Sequence, residues 1–508
     1  MGVSHLRACL MSLALFLGGN AEPPLRQQEA RSDVPASKDA NSASRAVDWR
    51  VEARDDVMAA YDIFHDHHPG MFDPNNKGFP ERLRRARDKA LAFAAHIDDA
   101  EGHARALALF SAGLADAHAR AQASYSGQGD MLWPGFRTVW RGSALHVLGP
   151  VRNGPPASSV LLGCDGRSAE SLIGGSFWWN YARPKEAGQW WQDAPYFFKR
   201  PRSPYEKLPR RCSFRRPDGR AQTYSLSWKP VPSALMNKWF EAESKREPVG
   251  LTEPRPGMYL VTLSTFVPDE EGRAQYERLF RDLDEKIGPM ATGRAIVIDL
   301  RNNHGGSSSW GDGVAYKLWG EEAVRAKLAD YFRRTQIRWL ADAANVAHWR
   351  ELAAQLRAQG RADVNDGIGL PELASKLELA MAAGKHFYLE DFGVTLARDA
   401  SAAQPRKLPP VYVIVDGGCV SACLDALDVF TRFSSVKLVG APTSADSNYI
   451  DIRFQPLPSG RGGVVLPTKI WVDRPRRAGE VYRPDIEVDD LDWTTATMLD
   501  HIEQDLAR

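Results

Sequence analysis

The second half of the chain alternates apolar strands with amphipathic helices, and this alternation is the strongest constraint on its fold. Residues 259–266 form a strand-like run, and residues 276–287 then carry apolar side chains at helical spacing. Residues 295–300, apart from Asp299, and residues 411–415 are apolar runs. A strand that is apolar on both faces is typical of a parallel sheet covered by helices. The pattern predicts an α/β domain over residues 251–508.

Two regions with other patterns precede this domain. Residues 46–128 contain three stretches of apolar side chains at helical spacing, which predict a helical domain. Residues 129–250 contain short strand-like runs separated by Gly, Pro and Asp-Gly turns, which predict a small β-rich module. Residues 311–405 are mostly helical and charged, an unusually long crossover for which a lid over the sheet edge is one hypothesis. We therefore expect an α/β multidomain protein.

Aromatic residues cluster in the β-rich module at 177–179, 190–191 and 196–198. Such clusters either line a binding groove or fill a core. We favour the core, because large aromatic side chains are mostly buried.

The first 21 residues have the pattern of a signal peptide. Arg7 precedes an apolar run over residues 8–17, and residues 19–21 supply a cleavage site. The run is shorter than the roughly 20 residues that span a bilayer, so we expect no stable membrane insertion. A buried helix is the alternative. Residues 22–45 are polar and predict a flexible linker. Because a signal peptide directs export, the expected location is periplasmic or secreted.

Charge and motif content exclude several classes of partner. The chain has 65 Lys and Arg against 64 Asp and Glu, and this near-neutral charge argues against a nucleic-acid partner. His65, His67 and His68 precede Pro69 without a metal-binding motif, and we found no phosphate-binding loop or nucleotide fingerprint. We expect neither a metal nor a cofactor.

Four cysteines follow the leader: Cys164, Cys212, Cys419 and Cys423. An exported chain meets an oxidising compartment, where Cys164 with Cys212 and Cys419 with Cys423 are possible disulfides. Connectivity is not readable from sequence. Four buried thiols are an equally open alternative.

Ser421 is a candidate nucleophile. It follows the apolar run 411–415 through a Gly-rich turn and precedes the helical stretch 422–433. A helix N-terminus offers unpaired N–H groups that can stabilise the oxyanion formed when a hydroxyl attacks an acyl carbon. Considered alone, an N-cap serine is the more common explanation. A second Gly-rich segment, with Gly305 and Gly306, follows the apolar run 295–300 and would let a backbone N–H approach a substrate closely.

These two segments resemble the C-terminal processing peptidases, a serine peptidase family that includes the tricorn core and retinoid-binding relatives. The family pattern Asp-Leu-Arg-x-Asn-x-Gly-Gly is matched at residues 299–306, and its Ser-Ala helix start at residues 421–422. Residues 114–118 and 483–486 are similar to two further family segments. The resemblance covers about residues 46–490. It implies a catalytic α/β domain of the type shared by Clp proteases and crotonases, and a degenerate PDZ-like module within residues 129–250.

The resemblance also implies which groups assist Ser421. One branch of the family uses a lysine at a position that is Asp446 here, and Asp446 has no amine. The tricorn-like branch uses a histidine from the helical domain and a later glutamate, and His118 and Glu480 match these. We therefore expect Ser421, His118 and Glu480 to act together, with Lys469 as the alternative base.

The oxyanion would then be held by the backbone N–H of Ala422 with that of Gly305 or Gly306. The resemblance implies an exported serine endopeptidase of the C-terminal processing, or tail-specific, type, which hydrolyses peptide bonds through an acyl-enzyme. Its partners would be peptide or protein substrates, and a homodimer is one hypothesis for its assembly. A ligand- or peptide-binding protein without catalysis is the alternative, because some relatives keep the fold without hydrolysing peptides.

Overall fold

The computed structural model describes residues 47–508 apart from 117, 124, 126–130, 150–153, 177–185, 245, 359–368 and 399–402. The expected signal peptide (1–21), the linker (22–45) and the aromatic run 177–179 lie outside the described residues. Among the residues that are described, no helix is both long and apolar enough to cross a membrane.

The amino-terminal part consists of helices α1 (Trp49–His67), α2 (Phe79–Ala94) and α3 (Ala100–Leu114), followed by the short strand β1 (Arg120–Ala123). Asp48 and Asp99 start α1 and α3, because each side chain accepts backbone N–H groups of the first turn. The apolar faces of the three helices share one core, which also contains Val464 and Leu466. The helical domain therefore packs on a strand from the far end of the sequence.

The β-rich module follows. It comprises β2 (Met131–Trp133), β3 (Arg137–Arg141), β4 (Ala144–Leu148), β5 (Val160–Cys164), β6 (Arg167–Ser168), α4 (Ala169–Ser176), α5 (Ala187–Asp193), β7 (Arg200–Pro201), β8 (Arg211–Arg215), β9 (Ala221–Ser225), β10 (Lys229–Pro230) and α6 (Ser233–Ser244). Strands β3-β4-β5-β8-β9 form an antiparallel sheet, with β6 paired to β5. Phe197 and Phe198 are buried in its core and Trp190 packs against that core, so the described aromatic clusters serve packing.

The third region contains the expected parallel sheet. Its elements are β11 (Gly250–Arg255), β12 (Met258–Thr262), α7 (Glu270–Ala291), β13 (Ala295–Asp299), α8 (Ser309–Trp319), α9 (Glu321–Tyr331), β14 (Gln336–Leu340), α10 (Ala343–Ala358), α11 (Leu370–Ala382), β15 (Phe387–Glu390), α12 (Phe392–Arg398), β16 (Val411–Val415), α13 (Ala422–Phe430), β17 (Val436–Gly440), β18 (Tyr449–Pro456), β19 (Gly462–Val472), β20 (Ile486–Glu487) and α14 (Thr495–Leu506). The strand order is β11-β12-β13-β16-β17-β20, and every pair from β12 to β20 is parallel. The mixed α/β multidomain architecture is confirmed.

Residues 311–405 contain strands as well as the helices that were expected there. They contribute β14 and β15 to a second sheet of order β1-β19-β14-β15, in which β18 also pairs with β19. Their helices α8, α9, α10 and α11 place buried side chains in the main hydrophobic core. These elements are thus part of the packed core, because their apolar faces find partners there.

Two features of this topology assemble the candidate site. Strands β13 and β16 are parallel neighbours, with Asp299 opposite Ile414, so the segments that follow them leave the same edge of the sheet. Strand β1 pairs antiparallel with β19, with Arg120 opposite Val465, and so fixes the end of the helical domain against the second sheet.

Candidate active site

Ser421 lies in the tight connection between β16 and α13. Its φ is +57° and its ψ is −127°, and non-glycine residues seldom adopt a positive φ. Ser421 is the N-cap residue of α13, but its side chain makes no capping hydrogen bond to the first turn, which is described in full. An N-cap serine ordinarily accepts such a bond. The conformation thus differs from that of a helix cap, and the partly exposed hydroxyl is not used for capping.

Gly305 lies directly against this turn. A Cβ atom on Gly305 would lie 2.6 Å from Val420 O, 2.8 Å from Ser421 Cβ and 3.0 Å from Ala422 N. The residue also has φ +86°. Only glycine fits this position, because a side chain would overlap with the backbone on both sides of Ser421.

The predicted oxyanion groups have different surroundings. Ala422 N is the first amide of α13, and the N–H groups of a first helical turn have no partner within the helix. The Gly305 N–H donates to Asn303 Oδ1 at 2.9 Å, so this bond would have to break before Gly305 could bind an oxyanion. Gly306 packs on Phe266, since its Cβ would lie 2.1 Å from Phe266 O.

Asp416 connects the two loops at the edge of the sheet. Its carboxylate accepts the Gly418 N–H at 2.8 Å and the Asn302 N–H at 3.1 Å. Burial raises the pKa of Asp416 to about 6, although the two N–H donors oppose the rise. This carboxyl group therefore holds the Ser421 turn against the segment that contains Gly305.

His118 lies in the connection between α3, which ends at Leu114, and β1, which begins at Arg120. Its N–H donates to Asp116 Oδ1 at 2.9 Å, and the same oxygen accepts the Ser447 hydroxyl at 3.0 Å. The side chain is 14% exposed, and its Nδ1 lies 3.4 Å from Asp446 Oδ1. Asp446 is therefore the carboxylate beside the His118 imidazole.

The loop that carries Asp446 is attached to the nucleophile turn. Ser444 N donates to Cys419 O at 3.2 Å, and Ser444 Oγ donates to Gly417 O at 2.8 Å. Asp446, which lies beside His118, is two residues from Ser444, and Ser444 is hydrogen-bonded to the Ser421 turn. This is how the structure brings the two predicted residues to one region.

Glu480 has a different environment. It is exposed, and its Oε2 accepts the Arg477 N–H at 2.8 Å. Its neighbour Gly479 donates to Asp446 O at 2.8 Å. The Glu480 backbone therefore lies close to Asp446, while its carboxylate is bonded to its own loop.

Lys469, the alternative base, is fully buried and paired. Its Nζ lies 2.7 Å from Asp451 Oδ2 and 4.3 Å from the centre of the Trp339 ring. Burial raises the pKa of Asp451, and the charges of Lys469 and His118 oppose the rise. The ammonium group is thus held in an ion pair and over an aromatic ring.

Both pairs of cysteines are joined by disulfides. Cys419–Cys423 encloses Ser421, and Cys164–Cys212 connects β5 with β8. Within the described residues, no group of three His, Cys, Asp or Glu side chains could hold a metal ion. Of the three clustered histidines, His68 is buried, stacked on Phe79 and hydrogen-bonded to the Gly70 N–H.

The overall fold has solved counterparts, although no protein-family model and no curated protein sequence matches the chain. Mature CPAF matches at 15% identity with a TM-score of 0.55, over 90% of this chain and 96% of that one. CPAF complexed with lactacystin matches at 15% identity and 0.55, over 90% and 97% of the two chains. This chain has the CPAF fold. The photosystem II D1 C-terminal processing protease matches at 15% identity, over 90% and 97% of the two chains, with a TM-score of 0.36.

In this CPAF-like fold, a buried cluster of charges is bonded to α13, the helix that follows Ser421. Asp425, on α13, accepts hydrogen bonds from Ser308 Oγ at 2.8 Å, from Arg476 at 2.9 Å and from Arg474. Burial alone would raise the pKa of Asp425, but Arg474 and Arg476 lower it to about 2. Asp428 on the same helix accepts from both arginines. Sequence reasoning missed this cluster, because its paired charges lie 46 to 51 residues apart in the chain.

Helix α5 of the β-rich module supports the same turn from the other side. Gln192 Nε2 donates to Gly417 O and to Ser444 Oγ, both at 2.9 Å. Glu186 Oε1 accepts the Ala445 N–H at 2.7 Å. The sequence carries no signal for these contacts, because they join segments more than two hundred residues apart.

Proposed function

We propose that this protein is a serine endopeptidase of the C-terminal processing type, with Ser421 as the nucleophile and His118 as the general base. Attack of Ser421 Oγ on the scissile carbonyl forms a C–O bond, and His118 accepts the hydroxyl proton. The imidazolium then protonates the leaving amine as the C–N bond breaks, which leaves an acyl-enzyme. A water molecule, activated by His118, hydrolyses this ester and restores Ser421.

The observation that carries the proposal is the conformation of Ser421. Its positive φ at the start of α13 and the absence of a capping bond within the described first turn distinguish it from a structural serine. Backbone strain of this kind clusters at functional sites, where the surrounding structure maintains it. Here the turn is packed against Gly305, and Asp416 accepts the Gly418 N–H within it. The Cys419–Cys423 disulfide closes the turn covalently.

The groups for the oxyanion follow from the same geometry. The Ala422 N–H and the positive end of the α13 dipole are adjacent to Ser421, and we assign the first oxyanion contact to Ala422. Of the two glycines, Gly306 is the simpler second donor, because the Gly305 N–H already donates to Asn303.

The wider assignments belong to the same proposal. The parallel sheet suits a catalytic domain of the crotonase and Clp type, and the antiparallel sheet of residues 129–250 suits a degenerate PDZ-like module. We further propose that the protein acts on peptides or proteins after export. The signal-like amino terminus and two disulfides support this location, because disulfides persist in oxidising compartments.

Labelling with a fluorophosphonate probe tests the proposal. We expect modification at Ser421, mapped by mass spectrometry, which disappears in Ser421→Ala and slows at least about 100-fold in His118→Ala. His67→Ala is the matched control, since His67 also lies beside an aspartate, with Nδ1 3.2 Å from Asp342 Oδ2. Lys469→Arg keeps the buried positive charge but cannot act as a base, and it should label at nearly the wild-type rate.

The same variants assayed on a library of quenched fluorescent peptides distinguish a peptidase from another serine hydrolase. Cleavage that requires Ser421 and His118 supports the proposal. A folded protein that neither labels at Ser421 nor cleaves peptides would contradict it and would favour a binding protein. Loss of labelling in Lys469→Arg with retention in His118→Ala would transfer the role of base to Lys469.

A further inference from the structure

The carboxylate beside His118 is not the one that the sequence pattern selects. We propose that Asp446, in place of Glu480, is the residue that positions His118, an inference that rests on the proposed function. A histidine that acts as a base needs its Nδ1–H held by an acceptor, so that Nε2 is unprotonated and faces the nucleophile. The identity of that acceptor decides how the imidazole is oriented.

The first argument is the buried and unsatisfied Nδ1 of His118. This atom is inaccessible to solvent and makes no hydrogen bond with the described residues. Buried polar atoms are nearly always hydrogen-bonded, so Nδ1 needs a partner. Asp446 Oδ1 lies 3.4 Å away, and a movement of about 0.5 Å would bring the pair to an ordinary hydrogen-bond length. Catalytic hydrogen bonds are commonly long before substrate binds.

The second argument is that Asp446 is held in place. Its Oδ1 accepts the Ser447 N–H at 3.0 Å, and its carbonyl oxygen accepts the Gly479 N–H at 2.8 Å. The preceding residue, Ala445, donates to Glu186 at 2.7 Å. The side chain is only 3% exposed. A carboxylate fixed in this way can orient an imidazole without losing much conformational entropy when the bond forms.

The third argument concerns burial and charge. Asp446 interacts electrostatically with the buried Arg474, which also binds Asp425 and Asp428 on the nucleophile helix. A charge in this poorly solvated region acts more strongly on a neighbouring imidazolium than a charge in water does. Glu480 is exposed, so its effect on His118 would be weakened by solvent even if its side chain turned inward.

Other carboxylates near His118 are occupied. Asp451 is paired with Lys469 at 2.7 Å. Asp116 accepts the backbone N–H of His118 itself and the Ser447 hydroxyl. Among these groups, Asp446 is the one placed beside the imidazole Nδ1.

Paired carboxylate-to-amide variants test the inference, because Asp446→Asn and Glu480→Gln make the same chemical change. We expect Asp446→Asn to slow fluorophosphonate labelling of Ser421 by roughly 10³-fold or more, as expected when the orienting carboxylate of such a triad is lost. Glu480→Gln should change this labelling rate by no more than about twofold. The opposite pattern would overturn the inference and restore Glu480.

A second measurement does not depend on catalysis. In the Ser421→Ala protein, nitrogen NMR of labelled histidine should show His118 as the Nδ1–H tautomer, and Asp446→Asn should change the tautomer while Glu480→Gln does not. If wild-type protein fails to label but this tautomer pattern is found, the proposed function is wrong and the positioning contact remains. If Asp446→Asn fails to fold, Asp446→Ser replaces it, since its hydroxyl can still accept the Ser447 N–H. An unchanged tautomer in the folded Asp446 variant would refute the contact.

Discussion

Replacing Gly305 by alanine tests the contact on which the site depends. The new Cβ would lie 2.6 Å from Val420 O and 2.8 Å from Ser421 Cβ. Ordinary contacts between heavy atoms are about 3.5–4.0 Å, so the nucleophile turn would have to move by about 1 Å. A misplacement of that size in a reacting group lowers the rate by roughly 100-fold.

Two effects on stability combine in this variant. Alanine at φ +86° destabilises the fold by about 1–2 kcal/mol, and the overlap adds about 1–3 kcal/mol. Gly219→Ala separates them, because Gly219 has φ +82° in a hairpin turn and no atom lies within 4 Å of its Cβ position. Gly219→Ala should therefore lose only the backbone contribution and keep the wild-type labelling rate.

The assay combines the fluorophosphonate labelling rate of Ser421 with denaturant unfolding of each variant. We expect Gly305→Ala to be folded, less stable than Gly219→Ala, and about 100-fold slower to label. A folded Gly305→Ala protein that labels at the rate of Gly219→Ala would refute the reasoning. It would mean that Gly305 does not contact the Ser421 turn.

Two further predictions concern stability and the disulfide at the site. Burial lowers the pKa of His68 to about 3, below its ordinary value near 6.5, so its contribution to stability is complete above pH 6.5 and is lost as the pH falls toward 3. The full effect is on the order of 5 kcal/mol. When the free energy of unfolding is measured against pH, its slope in this range should be smaller for His68→Asn, whose amide oxygen can still accept the Gly70 N–H. An unchanged slope would exclude His68 as the cause. Replacing Cys419 and Cys423 together by alanine should lower the free energy of unfolding by about 2 kcal/mol and slow labelling of Ser421, because the turn is no longer closed covalently. If the double variant has the stability and labelling rate of the wild type, and reductant changes neither quantity in the wild type, this disulfide has no part in holding the turn.

The elements that the sequence predicted well are those whose pattern is local. Strands β13 and β16 are buried at every position and, apart from Asp299 at the end of β13, apolar, so they were expected from the sequence alone. The expected helices α1, α2 and α3 have apolar side chains at helical spacing. Strands β14 and β15 were missed, because each is short and lies within a charged helical stretch. Their pairing depends on β19, which is distant in sequence.

The candidate site divides in a similar way. The resemblance to the C-terminal processing peptidases selected Ser421 and His118, and the structure brings the two segments that carry them together through the loop of Ser444. The same resemblance selected Glu480, whose carboxylate is exposed and bonded to Arg477 in the structure. Asp446 was noticed only as a position without an amine. Sequence could not assign it a role, because the effect of a carboxylate depends on its burial and its neighbours.

The sequence by itself predicted the apolar strands β13 and β16, the three helices of the amino-terminal domain, the near-neutral charge balance and the candidate nucleophile. These follow from local periodicity, composition and short motifs, which do not require knowledge of distant contacts. The tertiary structure alone decided which carboxylate lies beside His118, that Lys469 is paired with Asp451, and that helices α8 to α11 place buried side chains in the main core. Each of these depends on segments far apart in the chain, whose meeting is set by sheet pairing and by the burial of apolar faces.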